Sequence, residues 1–150
     1  MMDKANFKKG IGSVLKSAGF TSKSGSWFLR GGDSTVVLNL QKSDFDEKFY
    51  VNVGVWLQSL GAVDFPSENK CHIQARLTSL FPDHAEVIDR GSKMGGSTED
   101  FAAFVELLEN EVVPFCNDCL LIEGLRSKLE AGVFKKALIM KSARDALAQA

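Results

Sequence analysis

Residues Phe49 to Gln58 read F-Y-V-N-V-G-V-W-L-Q, and no other stretch constrains the fold as strongly. Side chains of a strand alternate between its two faces. Phe49, Val51, Val53, Val55 and Leu57 therefore share one face, and Tyr50, Asn52, Gly54, Trp56 and Gln58 share the other. The first face suits a core. The second is polar and aromatic, so it is either covered by another part of the chain or used to bind something.

The flanking sequence predicts the partners of this strand. Ser26–Arg30 and Ser34–Lys42 read as strands joined by the turn Gly31-Gly32-Asp33, where glycine supplies the positive φ of a hairpin. Lys48–Gln58 follows after Ser43-Asp44-Phe45-Asp46, and His72–Leu77 reads as a fourth strand beyond a loop at Gly61 to Lys70. The links between the first three are too short for crossover helices, so the strands form an antiparallel meander. In the phase opposite the apolar one, Asn39 and Gln41, then Tyr50, Asn52 and Trp56, then His72, Gln74 and Arg76 fall together.

Helical patterns surround this block. Phe7, Ile11, Val14, Leu15 and Ala18 recur at helical spacing over roughly Asp3 to Ala18, with Gly19 placed as a left-handed cap and Phe20 as its hydrophobic contact. Thr21–Ser26 reads as a polar loop, and Pro82 to Gly96 as irregular. Ser97 or Thr98 caps a helix with Glu99 and Asp100 in its first turn, and Phe101, Phe104, Val105, Leu108 and Val112 form its buried stripe. Pro114 should end or kink it. Asp118 can cap a further helix through Leu129, closed by Gly132, and a last helix runs from Val133 toward Leu147. The expectation is a single α+β domain over residues 1–150: an N-terminal helix, a four-stranded antiparallel meander and three C-terminal helices.

Several segments, in their order, resemble a known family. They are Gly19-Phe20, the W-F-L-R strand, N-L-Q-K-S (Asn39 to Ser43), F-Y-V-N-V-G-V (Phe49 to Val55) and C-H-I-Q-A-R-L (Cys71 to Leu77). Together they resemble the bacterial family named domain of unknown function 4304, over roughly the first half of the chain. The resemblance implies a small bacterial α+β protein and supplies no activity, cofactor or catalytic residue. Small families of this kind often include partners of toxins, which is an analogy.

Composition narrows the function classes. The formal net charge of -1 gives no global attraction to nucleic acid or an anionic membrane. The N-terminus has no secretory apolar stretch, and the longest apolar runs are far below a membrane span. Three cysteines cannot all pair within one chain, which suits a cytoplasmic protein with reduced thiols. Charge is uneven: Glu99, Asp100, Glu106, Glu109 and Glu111 occur with no base among them, whereas Arg126 to Arg144 holds six bases and one acid. The acidic run is either a solvated helix face or a patch for a basic partner.

Chemical motifs are incomplete. Cys116-Asn-Asp-Cys119 has the spacing of a zinc half-site or redox pair, but Cys71 and His72 are adjacent on a strand and point apart, so they do not complete a four-ligand set. Gly91 to Thr98 resembles a phosphate loop, yet Ser97 stands where its lysine belongs. No G-x-S-x-G accompanies the histidines. His72 reads either as an acid–base residue beside Gln74 and Arg76 or as a hydrogen-bonded surface side chain. Tyr50 and Trp56 lack the basic groove expected for nucleic acid.

No catalytic residue, cofactor or metal is therefore expected. The reading is a non-enzymatic protein-binding module, most concretely an immunity-type protein against a basic toxin domain. Its binding residues would be Asn39, Gln41, Tyr50, Asn52, Trp56, His72, Gln74 and Arg76 on the sheet, with Glu99, Asp100, Glu106 and Glu109 on the acidic helix. Tyr, Trp and Arg are residue types enriched at interface hot spots. The alternative is a small-ligand or enzymatic pocket around His72, Arg76, Tyr50 and Trp56. The bland alternative is that the segment Pro82–Gly96 or a C-terminal helix covers this sheet face.

Overall fold

The long alternating strand lies inside a sheet of six strands in a computed structural model that describes residues 2–148. The strands are β1 (Thr21–Lys23), β2 (Ser26–Arg30), β3 (Ser34–Lys42), β4 (Phe49–Leu57), β5 (Ile73–Arg76) and β6 (Leu138–Ile139). They lie in sequence order, and every neighbouring pair is antiparallel. The meander is thus present, with a further strand on each edge.

Each extra strand has an identifiable cause. Ser24 and Gly25 both take positive φ, +53° and +81°, which makes a tight hairpin and folds part of the expected polar loop back as β1. Leu138–Ile139 falls where a helix from Val133 was expected. Gly132, at φ +80°, ends the preceding helix, and the chain returns to pair with the open edge of β5. Met140 donates its N–H to the His72 carbonyl at 2.9 Å, extending that pairing.

The helices exceed the expected number. They are α1 (Lys4–Ser17), α2 (Leu77–Leu80), α3 (Ala85–Gly91), α4 (Thr98–Leu107), α5 (Val113–Asp118), α6 (Ile122–Glu130) and α7 (Lys141–Ala148). Two of them, α2 and α3, occupy the stretch around Pro82 whose later part read as irregular. Asp3 caps α1 by accepting from the Asn6 N–H at 2.8 Å, and Ser97 caps α4 by accepting from the Asp100 N–H at 3.0 Å. Pro114 does not end its helix. A π-helical turn, Leu108–Val112, comes just before it and joins α4 to α5. Proline lacks the N–H that an α ladder needs there, and a wider turn absorbs the mismatch.

The turn between β2 and β3 differs from its expected role. Gly31 and Gly32 are not at positive φ. A side chain at Gly31 would collide with Leu120, so glycine there permits a close approach. Asp33 in the same turn accepts from the Ile122 N–H at 2.8 Å and so caps α6, the role expected of Asp118. Asp118 instead pairs with Lys128.

The core lies on the apolar face of the sheet. Val36, Leu38, Val51, Val53, Val55 and Ile73 meet Phe7, Ile11 and Leu15 of α1, Phe104 of α4 and Leu125 of α6. Phe7 stacks on Phe49 at 5.3 Å and lies near-parallel to Phe104 at 6.3 Å, linking sheet, α1 and α4. Among the described residues, no helix is long and apolar enough to cross a membrane.

Candidate functional site

The opposite face of the sheet is divided into two halves. Register places Asn39 opposite Ser26 and Asn52, Asn52 opposite Arg76, and Gln41 opposite Tyr50. Two residues further along the strands come Phe28, Val37, Gly54 and Gln74, and beyond them Arg30, Thr35 and Trp56. Phe28 and Val37 are apolar although they belong to the polar phase, and with Cys71 they form a small second core.

The cover over this second core is the connection from Gly61 to Cys71, not Pro82–Gly96 and not a C-terminal helix. Phe65 meets Phe28 edge to face at 5.1 Å, and Lys23 lies 4.3 Å above the Phe65 ring. Arg30 pairs with Asp64 at 2.9 Å and so fastens the same loop from the side. A side chain on Gly54 would come within 2.7 Å of the Cys71 sulfur, so glycine lets the loop sit against β4.

Trp56 and His72 belong to the covered half. Trp56 is half-buried, and its indole N–H donates to the Gly61 carbonyl at 2.7 Å. Its ring lies 4.2 Å from that of His72. His72 is buried, unlike the surface histidine that its polar phase suggests. Its Nδ1 accepts from the Leu57 N–H at 2.9 Å, which requires the neutral ring with its proton on Nε2. Burial lowers the imidazole pKa and favours that same neutral form. Gln74 is turned to the loop, donating to the Asn69 and Cys71 carbonyls.

The other half is open and concave. A cleft of about 610 Å³ lies between the β1–β2 hairpin, at Lys23 and Ser24, and the loop at Phe65 to Asn69. Its floor carries Asn39, Gln41 and Asn52. The Asn39 amide donates to the Ser26 hydroxyl at 3.0 Å, and the Asn52 amide donates to the Gln41 carbonyl oxygen at 3.0 Å. Each bond occupies one end of an amide. Among the described residues, the Asn39 and Asn52 carbonyl oxygens and the Gln41 NH2 group make no side-chain hydrogen bond. Glu68 lines the opposite wall, where burial raises its carboxyl pKa. The concavity is therefore not centred on His72, Arg76, Tyr50 and Trp56.

At the end of the floor, the Arg76 guanidinium lies 3.5 Å above the Tyr50 ring, and Lys48 Nζ is 4.9 Å from it. Hydrogen bonding to Ser43, then to Arg76, lowers the Tyr50 phenol pKa.

The remaining motifs lie elsewhere. Glu99, Glu106, Glu109 and Glu111 are exposed and Asp100 is half-buried, on α4 and the π turn. These elements pack on the apolar face, so the acidic run and the cleft are on opposite sides of the sheet. Cys116 and Cys119 are both buried, and burial raises both thiol pKa values, that of Cys119 to about 12. Cys71 is likewise raised to about 12, by burial and then by the Glu68 charge. A thiol is a weak nucleophile and metal ligand until it loses its proton. Among the described residues, no three His, Cys, Asp or Glu side chains are grouped to hold a metal ion.

The loop cover and the cleft rim were missed at the sequence level, although Phe28 and Val37 in the polar phase signalled a cover. A family model described as a domain of unknown function, DUF4304, matches residues 11–118. The match takes in β1 to β5 and runs through α5, with β6 outside it. No curated protein matches the chain, and no solved structure does.

Proposed function

The chain belongs to the DUF4304 family, and on that premise we propose that it is a non-enzymatic protein-binding module whose recognition element is the amide-floored cleft. The observation that carries this reading is the cleft itself, open on the polar face while the other half of that face is closed. Asparagine and glutamine each offer both a donor and an acceptor, the pattern needed to read the N–H and C=O groups of another chain. The groups best suited to catalysis are engaged elsewhere: His72 takes a backbone N–H, and the thiols are buried.

Selection of displayed peptides on the purified chain tests the reading. Captured segments should bind the Asn39→Ala/Asn52→Ala double variant about tenfold more weakly, the loss expected from one or two hydrogen bonds. Equal binding to the double variant would remove the cleft from the proposal. A cleft of this volume also suits a polar small molecule. Saturable binding of metabolites at the same amides, with no peptide captured, would favour that alternative.

An immunity-type role against a basic toxin draws its support from a different surface, the exposed glutamates of α4 and the π turn. Such acids raise the rate of association with a basic partner. Glu106→Lys/Glu109→Lys should slow capture of such a toxin, and a gene with no toxin-like neighbour in any strain would remove that support.

A further inference from the structure

We infer that Arg76, laid on Tyr50 at the end of the cleft floor, is a carboxylate-binding point that takes an aspartate or glutamate side chain of the partner segment. The inference rests on the cleft reading and names the chemistry at its open end. Antiparallel register sets Arg76 directly opposite Asn52, whose amide belongs to the floor, and Tyr50 is two residues from Asn52 on the same face. A segment lying on the amides therefore passes the guanidinium.

Three observations give the site its charge preference. The guanidinium carbon lies over the Tyr50 ring, 3.5 Å from its centroid. A guanidinium carries five N–H donors in a planar fork that matches a carboxylate in a bidentate way, and its hydrogen bond to the phenol leaves further donors. Among the described residues Arg76 makes no ion pair. Asp89, which borders the same small recess as Arg76, is taken by Lys48 at 3.1 Å. The positive charge of Arg76 is left for a ligand, and an acidic group is its complement.

The test uses N-acetyl-glutamic acid amide as the probe, with N-acetyl-glutamine amide and inorganic phosphate as comparators. The readout is the NMR shift of the Arg76 Nε–Hε group and the Tyr50 ring. The glutamate probe should give a saturable shift at both. At the Tyr50 ring, the signal that the variants keep, Arg76→Lys should weaken the response about tenfold, by loss of a charge-assisted bidentate contact, and Arg76→Gln should abolish it. Unchanged urea midpoints of the two variants would show that both fold. An equal response to the glutamine probe, a stronger response to phosphate, or a shift that survives Arg76→Gln would overturn the inference. Peptides captured by the cleft that contain no enriched acid and bind Arg76→Gln normally would also overturn it while leaving the cleft reading intact. Failure of the cleft reading shows separately, as indifference of captured peptides to the Asn39 and Asn52 changes.

Discussion

The two halves of the polar sheet face share strands, register and alternation, yet one is a small core and the other a cleft. In the covered half, Phe28, Val37 and Cys71 meet Phe65, and Trp56 and His72 are drawn in beside them. In the open half, the same strands present Asn39, Gln41 and Asn52. The difference lies in whether apolar side chains occur in the polar phase. Two such residues give a loop something to bury, and amides give it nothing comparable. A strand's polar phase is thus not one surface, and its ends can have different fates.

Mutations can break or sharpen this contrast. Phe7→Ala sets the scale of the main core, because Phe7 is fully buried between Phe49 and Phe104. It should cost about 3–5 kcal/mol in a urea titration. Trp56→Ala should cost about 2 kcal/mol, since the ring is half-buried and its N–H bond to Gly61 is also lost. A midpoint equal to wild type would mean that this half is open too.

Gly54→Ala separates the halves by sign. On an open strand the change would stabilise by up to about 1 kcal/mol. Under the loop the new methyl meets Cys71, and the expected cost is about 1–3 kcal/mol.

The His72 environment adds a pH signature. Its folded-state pKa is lowered by burial, so the unfolded chain takes up a proton first as pH falls. The contribution to stability is complete above the ordinary histidine pKa and is lost as pH falls through the folded value. Urea midpoints of wild type should therefore fall more steeply on acidification than those of His72→Gln. Parallel pH profiles would show that the ring is not held neutral.

The smallest stability effect belongs to the open half. Asn52→Ala should change stability by no more than about 0.5 kcal/mol, as for other surface substitutions, while weakening captured peptides. A larger loss of stability would make the Asn52–Gln41 bond structural, not part of a recognition floor.

Much of the sheet was legible from local pattern. β2 and β3 match their expected bounds, and β4 and β5 differ from theirs by one residue at each end. Alternation is a property of each strand alone, which is why it could be read so closely. The edges were less legible. β1 depends on a hairpin at Ser24-Gly25, and β6 depends on an unfilled edge of β5 more than sixty residues earlier in sequence. Among the site residues, the phase that groups Asn39, Gln41, Tyr50, Asn52 and Arg76 follows from the sequence. The separation of Trp56 and His72 from them does not.

What the sequence by itself determined is direction: which side chains face the core, which face away, where α1 begins and where it ends at Gly19. These follow from dihedral preferences and side-chain periodicity, which act over a few residues. Only the tertiary structure decided what covers each surface. Phe65 closes half of the polar face because Phe28 and Val37 come together from two strands beneath it. Asp33 caps α6 because a turn 89 residues away in sequence is brought to Ile122. Arg76 is set beside the floor because β5 pairs with β4 in one register. Each depends on contacts between distant segments, and a local pattern carries no information about which distant segment will arrive.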